Sequence, residues 1–163
     1  MNIVVDSREQ KPLWKGSQCL KTAMIVGDYT TVSLLPSFAI ERKSPADLYG
    51  TILKGHMRFR NEHLRSIDNG IKLVLYVETT KKKFGQKNFP GGQRLQCDGE
   101  TLLKIITTIE SRWPLEVVWC KSRSDCKKKI LERLKQEENA LQKKSAPTVK
   151  TVKDAKSNSI RKR

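Results

Sequence analysis

Acidic residues are scarce in this chain: 17 Asp and Glu stand against 33 Lys and Arg, a formal net charge of +16. Over 163 residues that is extreme, and it directs attention to polyanions, nucleic acid ahead of an anionic membrane surface. Long apolar runs are missing too, which excludes a bilayer-spanning helix, and the first residues lack the layout of a signal peptide. Cysteine is sparse. Cys19, Cys97, Cys120 and Cys126 never form a CxxC pair, so they read as reduced, partly buried thiols of an intracellular protein rather than a zinc site. Histidine is sparser still: His56 and His63 stand alone, and each reads as surface or packing rather than as a ligand. No internal repeat is present, and the length suits one domain with a sizeable core.

Against this basic background the stretch from Gly27 to Asp47 gathers carboxylates. Tyr29 to Leu34 predicts a strand, Leu35-Pro36-Ser37 a turn, and Phe38 and Ile40, two apart, a second strand running into Glu41-Arg42-Lys43. Side chains two apart share a face of a strand, so Glu41 and Lys43 point one way and Arg42 the other. A hairpin would return Asp28 to the neighbourhood of Glu41. Two carboxylates would then share a site with one ammonium.

That trio suits phosphodiester hydrolysis. A hard cation neutralises charge on the phosphate and lowers the pKa of a water, and magnesium accepts a site of one or two carboxylates. A neighbouring lysine orients the attacking water and offsets transition-state charge; adjacent carboxylates favour its charged form, so Lys43 has a positional role before a general-base role. Asp47 reads two ways. It is a further acid of the site, or the third helical residue behind a Ser44 cap and Pro45, answering exposed amides.

Gly27-Asp28, Glu41-Arg42-Lys43 and Asp47, in that order, resemble the GD…ERKxxxD signature of the XPF-type structure-specific endonucleases. The likeness continues in Val4 to Glu9, similar to that family's opening strand, in Leu73 to Glu78, and in Pro114 to Cys120 followed by a final helix; it spans roughly residues 2 to 137. The resemblance implies a restriction-endonuclease-like α/β fold, a mixed central sheet flanked by helices with the site at one edge. It implies a Mg2+- or Mn2+-dependent enzyme that cleaves branched, flap or fork DNA in repair or recombination and leaves a 5′-phosphate and a 3′-hydroxyl. Asp28 and Glu41 would ligate the metal, aided by Asp6 and the Arg42 carbonyl. Arg8 and Arg58 would contact phosphate, and Arg60 would belong to the same DNA-binding set. The family usually appends paired helix-hairpin-helix motifs, which no residues after 142 supply, so targeting would fall to a basic tail or to a separate subunit.

Along the rest of the chain, Asn2 to Asp6 predicts a buried strand ending in an acid, Gln10 to Gln18 a loop, and Cys19 to Val26 another strand. Pro45 to Leu53 predicts a helix with Leu48, Ile52 and Leu53 inward, interrupted by Lys54-Gly55-His56. Arg58 to Asp68 predicts a second, basic helix stopped by Asn69-Gly70, bearing Arg58, Arg60 and Arg65. After a strand over Ile71 to Val77, residues 81 to 92 read as a basic loop in which Lys81, Lys82 and Lys83 guide DNA and Phe84 or Phe89 stacks on a splayed base. Asp98 caps a helix to Arg112 with Leu102, Ile105, Ile106, Ile109 and Trp113 on one face. Ser122 and Asp125 resemble a capping box for a last helix to about Gln142, presenting Ile130, Leu131, Leu134 and Leu141 to the core or to a partner.

The expected organisation is a nuclease domain over 1–142 and a disordered basic tail over 143–163 that adds non-specific affinity for nucleic acid. A homodimer or heterodimer would form through the C-terminal helices, with no membrane involved. The setting is intracellular: cytoplasm for a prokaryotic or phage protein, nucleus for a eukaryotic one or a virus of eukaryotes. Two other readings stand beside this one. Degenerate members of the resembling family only position DNA as non-catalytic subunits, and charge alone would also suit an RNA- or ribosome-associated protein.

Overall fold

The structure, a computed structural model, describes residues 1–86, 88–89, 97–113 and 115–145. From 146 onward the expected tail lies outside the described residues, as do residues 90–92 of the expected basic loop, residues 93–96 and the side chain of Phe89.

Elements follow one another as β1 (Ile3–Asp6), β2 (Leu20–Thr22), β3 (Tyr29–Thr31), β4 (Phe38–Lys43), α1 (Pro45–Leu53), α2 (His56–Asp68) and β5 (Lys72–Val77). Then come α3 (Lys81–Gly85), β6 (Asn88–Phe89), β7 (Cys97–Asp98), α4 (Gly99–Arg112), β8 (Glu116–Trp119) and α5 (Arg123–Ser145). Among the described residues, six strands form one sheet in the order β2-β1-β3-β4-β5-β8, while β6 and β7 make a small antiparallel pair. The sheet is mixed: β3 runs antiparallel to β1 and β4, and the β1–β2, β4–β5 and β5–β8 pairs are parallel. This is the expected α/β architecture, with helices on both faces. Among the described residues no helix is long and apolar enough to cross a membrane.

Period-two alternation sorts side chains onto the two faces. Ala39, Leu73, Leu75 and Val77 pack with Leu48, Ile52, Phe59, Leu102, Ile106 and Ile109 of α1, α2 and α4. On the other face Phe38, Ile40, Val74 and Tyr76 pack with Ile130 and Leu134 of α5, and with Leu13 and Trp14 of the first loop. Glu41 and Lys43 continue the first register, toward α1 and α2, and Arg42 continues the second, toward α5.

Helix starts follow the expected caps. Ser44 Oγ accepts from the Asp47 N–H, Asp98 from Thr101, and Asn69 with Gly70 (φ 65°) ends α2. At α5, the Ser122 hydroxyl accepts from the Asp125 N–H, but the Asp125 carboxylate reaches back one residue further, to the Lys121 N–H.

Several expectations are corrected. Tyr29 to Leu34 is strand only to Thr31 before a 3-10 turn, and Cys19 to Val26 is strand only over Leu20–Thr22. Leu53 points outward, and Thr51 takes the inner face with Leu48 and Ile52. Residues 81–85 are helix, not loop: Thr80 caps it by accepting from the Lys83 N–H, and Phe84 is fully buried, so it is no stacking platform. Helix α5 continues past Gln142 to Ser145, and of the two settings expected for Leu141 the core is excluded, since it is 41 % exposed. His63 is packing, as expected: it lies parallel to Trp113 with ring centroids 5.6 Å apart.

Candidate active site

Because β3 opposes β1 and β4, its N-terminus lies beside their C-terminal ends. One end of the sheet therefore receives Asp6 from the end of β1, Asp28 just ahead of β3, and Glu41 to Lys43 from the end of β4. These are central strands, so the site sits at the sheet's end rather than at its edge.

Backbone hydrogen bonds fix Asp28. Its N–H donates to the Ile40 carbonyl at 2.8 Å, its carbonyl accepts from the Asp6 N–H at 2.9 Å, and its Oδ2 accepts from the Arg42 N–H at 2.8 Å. The preceding Gly27 has φ +75°, and a Cβ there would stand 3.0 Å from Ala39 Cβ and 3.1 Å from the Ile40 carbonyl oxygen. Only glycine fits this turn.

Glu41 is buried and its Oε1 accepts from Lys43 Nζ at 2.7 Å, with that ammonium 5.5 Å from the centre of the Phe59 ring. Burial, and then the charge of Glu41, push the Asp28 carboxyl up to about 8. Burial also raises the pKa of Glu41, with Lys43 opposing and Glu62 adding to the rise. Burial works against the charge of Lys43, but Glu41 outweighs it, so the lysine stays an ammonium. Two carboxylates held close against their own repulsion, with one cation beside them, is the predicted trio.

A cleft of about 930 Å3 opens over this group. Besides the strand residues it is lined by Asp47, Gly50 and Thr51 of α1, by Arg58, Phe59, Glu62 and Arg65 of α2, and by Arg8 and Lys11. Arg58, Glu62 and Arg65 are four and three apart, which is one face of a helix.

The remaining predicted residues fall differently. Asp6 is already engaged: Oδ1 accepts from the Arg8 N–H and Nε at 2.8 Å, and Oδ2 from Arg8 Nη2 at 2.9 Å and the Met24 N–H at 2.7 Å. Those bonds outweigh burial and hold its carboxyl below the usual range. Asp6 thus clamps Arg8 at the cleft; it has no oxygen to spare as a third ligand. Among the described residues no three His, Cys, Asp or Glu side chains converge to hold an ion. The Arg42 guanidinium points away from Glu41, bonding Glu78 at 2.9 Å and Glu9 at 3.1 Å. Asp47 is exposed at the cleft rim, its Oδ2 accepting from Ser44 Oγ at 2.6 Å while its N–H donates to the same hydroxyl at 3.2 Å, the bond by which Ser44 caps α1. Arg60, Lys81, Lys82 and Lys83 are exposed but do not line the cleft. Lys54 and Glu62 do line it and escape a motif search, although Glu62, one turn beyond Arg58, was legible as sharing that arginine's face.

What the two acids can do is bind a hard cation. Asp28 Oδ1 and Glu41 Oε2 accept no hydrogen bond among the described residues, so each carboxylate keeps one oxygen for another partner. Oxygen ligands from one or two carboxylates match magnesium or manganese better than zinc.

Comparisons with known proteins agree with the fold. XPF from Aeropyrum pernix superposes with a TM-score of 0.63 at 16% identity, covering 88% of this chain and 68% of that one. XPF from Aeropyrum pernix in complex with DNA gives 0.58 at 18% identity, over 91% and 68%. No curated protein matches the chain. Residues 5–132 match the model of the ERCC4 domain, and a match over most of the sequence identifies this chain as a member of the ERCC4 domain family.

Proposed function

We propose that the protein is a Mg2+- or Mn2+-dependent endodeoxyribonuclease that cuts branched or flap DNA. One observation carries this reading: Asp28 and Glu41 are held together beside the Lys43 ammonium at the base of a cleft whose rim is basic. Membership of the ERCC4 domain family and the DNA-bound state of the XPF relative support it.

Asp28 Oδ1 and Glu41 Oε2 would hold the cation, which supplies charge neutralisation at the scissile phosphate and a more acidic water. Lys43 remains protonated, so it orients a water or a phosphate oxygen and does not abstract a proton. Burial of Glu41 and Lys43 keeps bulk water from screening those interactions. Arg8, Lys54, Arg58 and Arg65 would hold the phosphate backbone along the rim. Asp47 and Arg42 serve the frame: the Asp47 N–H donates to the Ser44 cap of α1, and Arg42 ties β4 to Glu9 and Glu78.

The test is incubation of the pure protein with flap, fork and nicked duplex substrates and Mg2+. Cleavage by the wild type, reduced by about a thousandfold or more in Asp28→Asn, is the expected result. DNA binding by both proteins without cleavage by either would overturn the enzymatic reading and leave a subunit that only positions DNA.

A further inference from the structure

The turn that delivers Asp28 rests on a contact from outside the strands. Gly27 is buried, and its N–H has one acceptor among the described residues: Glu62 Oε1 on α2, at 3.3 Å. On its other side the glycine is pressed against β4, where Ala39 Cβ and the Ile40 carbonyl leave no room for a side chain. The next residue then makes both bonds that define the site, Asp28 N–H to the Ile40 carbonyl and Asp28 Oδ2 from the Arg42 N–H. A buried amide without an acceptor is costly, so removing that carboxylate leaves the turn with an orphaned donor and a reason to rotate.

We propose that Glu62 is the positioning residue of the Asp28–Glu41 pair: it pins the Gly27 amide from α2 and so holds the Asp28 carboxylate in register with β4. This rests on the proposed function only for the purpose of the pair; the positioning itself is a property of the fold. Glu62 also lines the cleft, on the same helical face as Arg58 and Arg65. Its charge reaches the site as well, raising the pKa of Glu41 and helping to keep Lys43 and Arg8 protonated. Position and charge can be separated, because a glutamine keeps the acceptor oxygen and loses the charge.

The experiment compares wild type with Glu62→Gln, Glu62→Ala and Glu62→Met in the full chain. Two readouts are taken: hydrogen exchange of the Gly27 amide by NMR without metal, and Mn2+ affinity by calorimetry. Alanine and methionine both remove the acceptor, and methionine preserves side-chain length and helix propensity, so it stands in if the alanine variant does not fold. Expected is a loss of about tenfold in Gly27 protection and in Mn2+ affinity for Ala and Met, with Gln within about threefold of wild type. Unchanged Gly27 protection in Ala or Met overturns the proposal, as does a glutamine variant as defective as methionine. Mn2+ binding equal in wild type and Asp28→Asn would instead sink the cation-site reading; the Gly27 exchange would still decide whether Glu62 positions the turn.

Discussion

At Asp28 the fold works against a carboxylate's preference for water. Burial and the neighbouring Glu41 raise its pKa from an ordinary 3.8 to about 8, while the Arg42 N–H pulls the other way. Between those values the folded chain binds more protons than the unfolded one. The contribution to stability is therefore full below about pH 4 and is lost as pH rises to about 8. Unfolding by urea in EDTA should show this decline in the wild type. Asp28→Asn, which keeps an acceptor for the Arg42 N–H, should flatten the slope and raise stability at pH 8. An unchanged slope would mean that Asp28 ionises freely. A variant without the Asp28 charge that is more stable than its parent is what a site assembled for a cation predicts, since the cation would offset the repulsion.

At the scale of elements, the strand Phe38–Lys43 was the most legible part of the chain. Its alternation gave Glu41 and Lys43 to one face and Arg42 to the other, and the caps at Ser44 and Asp98 marked helix starts. Less legible were segments whose state depends on tertiary contacts. Lys81 to Gly85 reads as a basic loop, yet lysine is a good helix former, and burying Phe84 beneath α4 was enough to settle the matter. Glu62 and Glu78 carry no local motif; each matters through a partner more than 30 residues away. Glu78 receives Arg42 Nη1 and Arg123 Nη1, both at 2.9 Å, and Arg123 also donates to the carbonyls of Lys11 and Pro12. This node ties β4, the first loop and α5 together. Glu78→Ala, which leaves Arg42 with Glu9 as its one carboxylate partner among the described residues and Arg123 with two carbonyls, should cost about 1.5–3 kcal/mol in denaturant unfolding. A loss below about 1 kcal/mol would show the node to be an ordinary surface pair.

For the molecule as a whole, composition announced a polyanion partner but not where it would lie. The structure distributes the charge unevenly: Arg8, Lys54, Arg58 and Arg65 line the cleft that holds Asp28, Glu41 and Lys43, whereas Arg60 on the same helix as Arg58 does not. Phosphate contacts release counterions, so DNA affinity should fall steeply with salt. Arg58→Ala should weaken binding and reduce the slope of log K against log salt by about 1, with Arg60→Ala close to wild type. Equal effects of the two would mean that DNA follows general surface charge rather than the cleft.

The account depends on a divalent ion occupying the space between Asp28 and Glu41. Crystals grown with Mn2+ and measured at the manganese absorption edge test this directly. The predicted result is one anomalous peak about 2–2.3 Å from a carboxylate oxygen of each residue, lost in Asp28→Asn. No peak there, or a peak bound elsewhere with the Asp28–Glu41 pair unoccupied, would contradict it.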